Sequence, residues 1–491
     1  MRDPAPETQA AACDAPVTAI LATYLADVSH DTLPTVVCDH AKASLLDTLG
    51  VARIGATSGD GHQAAVTAMT AGGGAPQATI WFTGKRIDAA RAAFCNTVHA
   101  RAHDYDDIMV YPQVHVSVCT VPPALAAAEF AAGATGAVTG RRLLEAIAAG
   151  AEMQSRLAHA YGPFHDASRF PIMLPTQIFG YFAAAAAAGR AMGLDAARMQ
   201  SALGFAQMQA GGTEEMVVHA TDSVGKCLYA GFASQAGVQA AILAHHGALA
   251  RGRALEGKAG LFAAFFGGNF DASALIDGLG RDYRSLERCT KAMPGTLVAH
   301  GYVEAGRSLM RSHDLSPDDV AEVEIVVGPW GLAMSEPATD RRAPATASTA
   351  MNSIPFLLAK GLVNGKVELA DMTPEGRSEP RALDMARRIR HRLVPEMAAP
   401  GGLEAAQVAL LLHDGTRLEA ACAAPLGHPS RPLGFDDISR KFHANMAPDG
   451  LPADRARAER ISDMVAHLED LPDIAPLLDL LPSGDRCKNG E

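Results

Sequence analysis

The sequence predicts a mainly α protein: a large all-helical domain from both chain ends, with a smaller α+β domain inserted between them. Three observations predict it. The 491 residues are rich in alanine, with 48% hydrophobic but only 5% aromatic residues, and alanine loses no side-chain entropy in a helix. Ala-rich helical patterns fill 121–133, 141–158, 176–192, 196–210 and 231–250. The period then changes near residue 315, where Val323, Ile325 and Val327 alternate with Glu322 and Glu324, and period two marks a half-buried strand. A chain of this length exceeds what one hydrophobic core organises.

In chain order, residues 1–15 are polar, contain prolines and read as a frayed terminus. Thr32-Leu33-Pro34 reads as a helix start, since proline is tolerated in the first turn. Val37, Ala41, Leu45 and Leu49 then recur every four residues as one buried face. Ala78-Thr79-Ile80-Trp81-Phe82 reads as a short extended segment with a turn at Thr83-Gly84-Lys85. His245-His246 reads as a helix end before Gly247. After the strand 320–327, Val408, Leu410 and Leu412 lead into Asp414-Gly415, which predicts a hairpin over 405–421 with a type I′ turn. Gly427-His428-Pro429 and Pro432 mark a linker, and 434–483 returns to helical patterning. The expected division is therefore 16–283 with 426–491 for the helical domain and 284–425 for the inserted one.

The formal net charge of −12 opposes non-specific nucleic-acid binding, which needs a cationic surface. An anionic small molecule needs only a local cationic cleft. Asp3, Glu7 and Asp14 interrupt any signal-peptide pattern. The longest apolar run, around Ala183–Ala188, is far short of the roughly 20 residues of a membrane span. The eight cysteines include no CxxC pair and read as reduced. Cytoplasm is the expected compartment.

The densest polar cluster is His99-Ala-Arg101-Ala-His103-Asp104-Tyr105-Asp106-Asp107, followed by His115. Histidines beside carboxylates suit proton transfer. The same groups suit a metal, or a capped loop with solvated charges. Metal ranks last, because neither HxxxH on a continuing helix nor HExxH occurs. Lys226, in Ser223-Val-Gly-Lys226-Cys-Leu-Tyr229, precedes an Ala-rich helix, and Lys291, in Cys289-Thr-Lys291-Ala-Met-Pro294, lies near the change of domain. A lysine chosen blindly is usually a solvated one. No GxGxxG follows a strand and no GxxxxGK[ST] loop occurs, so a nucleotide cofactor lacks support, and no GxSxG nucleophile elbow is present either.

The segment from Ala93-Phe94-Cys95-Asn96 through His103-Asp104-Tyr105-Asp106-Asp107, with His115 and Val121-Pro122-Pro123-Ala124-Leu125, resembles the signature of the MmgE/PrpD family. The resemblance extends through Leu45-Leu46-Asp47-Thr48-Leu49-Gly50, Ala78-Thr79-Ile80-Trp81, Lys226-Cys-Leu-Tyr-Ala-Gly231, Leu255-Glu256-Gly257-Lys258, Lys291-Ala-Met-Pro294 with His300, and Asn364-Gly365. It implies a helical domain with a lid-like α+β domain, in a homodimer that needs neither metal nor cofactor. Activities of that family include 2-methylcitrate dehydratase, cis-aconitate decarboxylase and iminodisuccinate epimerase. They share the stabilisation of charge at a carbon beside a carboxylate, which needs cations and a tuned acid/base group.

Carried over residue by residue, the resemblance makes Asp104, His115, Lys226 and Lys291 the catalytic set. The lysines would grip carboxylates, His115 with Asp104 would manage protons, and lid closure would bring Lys291 to them. His103 and His300 join as binding candidates. The sequence departs from the family pattern at Arg101 and Tyr229, each in place of a histidine, at Ile108 in place of a threonine, and at Phe356 in place of a tyrosine. Pro171 replaces another histidine, with His165 as the nearby substitute. Arg101 adds a bidentate anion grip, and Ile108 and Phe356 make the pocket more apolar. The expected function is a lyase, dehydratase or decarboxylase, on a small di- or tricarboxylate through an enediolate-like carbanion. The alternatives are a dicarboxylate epimerase working by deprotonation and reprotonation, and a non-catalytic binding homologue.

Overall fold

The computed structural model describes residues 16–59, 61–162, 173–219, 224–397, 403–448 and 450–482. The expected frayed segment 1–15, and His165 with Pro171, lie outside them. Helix Pro175–Ala191 is the axis of the first core, with every one of its positions buried. Helices Gly140–Tyr161, Gly225–His245, Val121–Thr135 and Ala196–Gln209 surround it. The Ala183–Ala188 run has a packing reason. A Cβ added at Gly237 would stand 2.4 Å from the Ala184 Cβ, and one at Gly150 would stand 2.7 Å from that of Ala187. Neighbouring helices thus approach almost backbone to backbone, and only the smallest side chains fit.

Helix Gly225–His245 is, by length and composition, apolar enough to cross a membrane, although no single apolar run signals it. In the structure 67% of its most apolar window is buried, against Pro175–Ala191 and Ala89–Arg101, which is the place of a core helix. It begins six residues before the predicted 231–250, so Lys226 stands in its first turn rather than ahead of it.

Helix Thr35–Ser58 closes the same core and carries the C-terminal helix Phe435–Met446 on its flank. Phe442 of the latter touches Gly50. This core therefore joins residues from Val17 onwards with Ile438, Phe442, Ile461 and Leu477 near the other end.

A second core, from Val298 to Cys422, is separate. It lies against a four-stranded sheet of β5 (Val320–Val327), β6 (Ile389–Leu393), β7 (Ala406–Leu412) and β8 (Arg417–Cys422), in the order β6-β5-β7-β8. β6 is parallel to β5 and the other pairs are antiparallel. Val323, Ile325 and Val327 face inward as their alternation predicts, into the core that helices Leu297–Ser312 and Ile354–Asn364 also line. The hairpin loop differs from the predicted two-residue turn. Leu412 N–H donates to the Thr416 carbonyl, and only Gly415 has a positive φ, 89°. His413-Asp414-Gly415 is thus a three-residue connection with glycine in the left-handed position.

Four shorter strands form two further pairs, one local and one long-range. β1 (Ala78–Ile80) pairs with β2 (Lys85–Ile87). β3 (Ile108–Met109) pairs with β4 (Arg288–Cys289) across almost two hundred residues of sequence. That second pair stitches the polar loop after Arg101 to the strand leading to Lys291.

Candidate active site

Helix Ala89–Arg101 starts on Asp88, whose carboxylate accepts from Arg91 N–H, and ends in a turn that throws Asp104 into a left-handed conformation, φ 47°. Aspartate tolerates that region better than most residues. Its main-chain oxygen accepts from Lys291 Nζ at 2.8 Å and from Gly295 N–H at 3.2 Å.

Its carboxylate is the hub of the site. Oδ1 receives Lys291 Nζ at 2.6 Å and Arg101 Nη1 at 2.8 Å, and Oδ2 receives Lys226 Nζ at 2.9 Å. Arg101 also donates to Asp106 Oδ1 at 2.9 Å and, through Nε, to the Tyr229 hydroxyl at 3.3 Å. Its Nη2 faces His115 Nε2 at 3.1 Å. Because a guanidinium only donates, Nε2 must accept, and the His115 proton sits on Nδ1, 2.7 Å from Asp106 Oδ2. Three cations around two carboxylates, with a neutral imidazole, leave one positive charge in excess.

The protonation states follow from these contacts. Burial would raise the Asp104 pKa, but Lys226, Lys291 and Arg101 outweigh it and hold the carboxyl well below the usual range. Burial likewise opposes ionisation of Asp106, yet Arg101 and His115 bring it down to about 2. Burial and Arg101 lower the His115 pKa against the pull of Asp106. Lys226 is lowered by burial, with Asp104 opposing. Lys226 is also the most open of the hub cations, its side chain 20% exposed against 1% for both Lys291 and Arg101.

Several expectations change. Arg101 is not a free anion grip: each of its three nitrogens is already engaged, with Tyr229, with Asp104 and Asp106, and with His115. His115 pairs with Asp106 rather than Asp104. Lys291 needs no lid movement to reach Asp104, because the β3–β4 pairing already sets it there. Ile108 packs with Val110, Cys289 and Leu297 at the junction of the two cores, and Phe356 is wholly buried in the second core, so both fill cores rather than line a pocket. His103 turns to Ser58 Oγ, 3.1 Å from its Nε2. His300 is buried near Lys291 with an unpartnered Nε2, its pKa lowered by burial to about 3. His165 lies outside the described residues.

Sequence reasoning missed two partners. Asn352 Oδ1 accepts from Lys226 Nζ, while its amide nitrogen donates to the Ser348 carbonyl at 2.8 Å. Arg288, on β4, donates to Asp107 Oδ2, Ser117 Oγ and Ser44 Oγ at 2.7–2.8 Å. No motif marked either residue, although Arg288 lies only three residues before Lys291.

Atoms of Asp104, Asp106 and His115 lie within 4.8 Å of one another, close enough for a metal site. The donor set does not suit one. Each of these carboxylate oxygens already accepts from an ammonium, a guanidinium or an imidazole N–H, so an added cation would meet Arg101, Lys226 and Lys291 head on.

A helical core, a smaller sheet domain and a buried cationic cluster on an Asp-Tyr-Asp-Asp loop together define the class. The family model for the MmgE/PrpD N-terminal domain matches residues 19–273, and that for the C-terminal domain matches 293–470. The chain belongs to the MmgE/PrpD family. It is 27% identical to human cis-aconitate decarboxylase over 473 residues, 95% of this chain and 94% of the relative. It is 25% identical to the cis-aconitate decarboxylase of Aspergillus terreus (strain NIH 2624 / FGSC A1156), covering 95% and 96%. A cis-aconitate decarboxylase-like protein, oryM, of Aspergillus oryzae (strain ATCC 42149 / RIB 40) is 25% identical, covering 95% and 97%.

Proposed function

We propose that this protein is a metal-independent lyase that removes carbon dioxide or water from a small di- or tricarboxylate. The observation that carries the reading is the net-cationic, buried cluster on Asp104, with Lys226 at its open side. An incoming carboxylate would find one uncompensated positive charge in a place poorly reached by water, where such a charge acts strongly. In a decarboxylation the bond from the α-carbon to the departing carboxylate breaks, and its electron pair stays on carbon as an enediolate-like anion. Lys226 would stabilise that anion and deliver the proton, a role suited to an ammonium whose pKa is lowered by burial.

Asp104 is too strongly paired to act as a base, so its part is to hold the cations. His115, fixed as the Nδ1–H tautomer by Asp106, would supply an acceptor once substrate draws Arg101 aside. The relatives named as cis-aconitate decarboxylases favour carbon–carbon cleavage. Lys291 and Asn352, from the inserted domain, already touch the hub. We therefore read the arrangement as closed, with substrate entry requiring the Lys226–Asn352 contact to break.

The test is proton NMR of the purified protein with cis-aconitate, citrate, methylcitrate and iminodisuccinate in deuterated buffer. Loss of carbon dioxide or water from one of them, abolished by Lys226→Ala, supports the reading. Deuterium uptake without consumption replaces it with an epimerase. Turnover unaffected by Lys226→Ala sinks the site, and silence across the panel sinks the substrate class.

A further inference from the structure

One buried ammonium stands behind the hub without facing it. Lys441, on helix Phe435–Met446, places Nζ 2.7 Å from Asp47 Oδ1, 2.9 Å from the Tyr105 carbonyl oxygen and 3.0 Å from the Lys291 carbonyl oxygen. It also lies 3.7 Å from the centroid of the Tyr105 ring. Two of these contacts are hydrogen bonds to main-chain carbonyls and the third is an ion pair, and all three come from remote parts of the chain. Both side chains of the ion pair are nearly sealed from solvent, at 6% and 5% exposure. Lysine and aspartate are rarely buried so deeply unless paired.

The two carbonyls matter because of their owners. One belongs to Tyr105, next in the chain to Asp104, and the other to Lys291 itself. Lys441 thus grips the backbones of both partners in the 2.6 Å Lys291–Asp104 contact. Around it, the Tyr105 hydroxyl donates to the Ala292 carbonyl at 3.3 Å, and Gly295 N–H donates to the Asp104 carbonyl at 3.2 Å. An ion pair that only held the C-terminal helix to Thr35–Ser58 would need Asp47 alone.

We propose that Lys441 is a positioning residue for the reaction: with Asp47 as its counter-ion, it fixes the loop of Asp104 against the strand of Lys291 and never touches substrate. Its kinetic consequence rests on the lyase reading above.

Lys441→Met alone leaves Asp47 buried and uncompensated, and is expected to fold poorly. The working variant therefore combines Lys441→Met with Asp47→Asn. It should fold, yet lose about 10- to 100-fold in kcat with KM changed less than about threefold, since a shift of about 1 Å in a reacting group costs on that order. The Gly295 amide should exchange with deuterium at least about tenfold faster. Lys441→Arg, which keeps the charge and several donors, should retain most of the turnover and the slow exchange. A folded double variant with kcat and Gly295 exchange unchanged overturns the proposal. If the parent protein turns over no carboxylate, the lyase reading fails, and the exchange measurement still decides the clasp: faster exchange supports it and unchanged exchange overturns it.

Discussion

Replacing Asp104 with asparagine tests the hub directly. The change keeps the shape, and asparagine accepts the φ of 47° that the backbone demands. It removes one negative charge from the middle of Arg101, Lys226 and Lys291. The amide oxygen can still receive Lys291 and Arg101, but the amide nitrogen then faces the Lys226 ammonium, donor against donor. Breaking a buried ion network by deleting one partner costs about 3–5 kcal/mol. With an unfolding entropy of about 2.1 cal/mol/K per residue, cooperative unfolding of all 491 residues turns that cost into a fall of roughly 3–5 °C in Tm.

The loss should depend on pH. Burial already lowers the Lys226 pKa while Asp104 raises it, so without Asp104 the lysine sheds its proton at lower pH. The Tm gap between parent and Asp104→Asn should therefore narrow as pH rises from 7 to 10. Differential scanning fluorimetry across that range, with turnover measured alongside, checks both statements. A Tm and a turnover equal to those of the parent at neutral pH would refute the view that one carboxylate organises three cations.

Three further outcomes follow from the same geometry. Asn352→Asp puts a carboxylate on Lys226 and should move the alkaline limb of the pH–rate profile to higher pH, because the added charge favours the ammonium; an unmoved limb would exclude Lys226 as the titrating donor. His115 stays neutral in the fold, so its imidazole should titrate, by proton NMR, below the ordinary value of about 6.5. Its contribution to stability should be lost as pH falls from 6.5 through that lowered value, and a titration at or above 6.5 would contradict the assignment. Adding zinc or magnesium should leave Tm unchanged, since the Asp104, Asp106 and His115 atoms already hold protein partners; a rise of several degrees would show that a metal displaces the cations.

Much of the fold is legible because its signals are local. The alternation at 320–327 and the Ala-rich periods depend only on near neighbours, so they yield the strand to the residue and most of the helices within a few residues, while 231–250 is displaced by five to six residues at both ends from the observed Gly225–His245. The hairpin loop is misjudged by one residue because Asp-Gly fits the two-residue turn and the three-residue connection alike. The site is legible where a motif clusters its groups, as at Asp104 to Asp107. Roles within it are not, because pairing partners are chosen in space: nothing in the chain order says that Arg101 will be consumed by two aspartates, or that His115 prefers Asp106. Lys441 did leave a trace. Ile438, Phe442 and Asn445 form the buried stripe of its helix, and a lysine at 441 falls on that same stripe, where a solvated one has no reason to be.

The stitch between β3 and β4 also bears on when the protein comes alive. A ribosome that has delivered Asp104, His115 and Lys226 has delivered no working centre. Lys291 arrives only after the part of the helical core up to Leu275 has been made, and helix Phe435–Met446, which completes that core, comes later still. Long-range pairings of this kind form late, because the chain between them must first be brought to order. The appearance of turnover during refolding should therefore lag behind the return of helical ellipticity, making catalysis itself a clock for the last docking step.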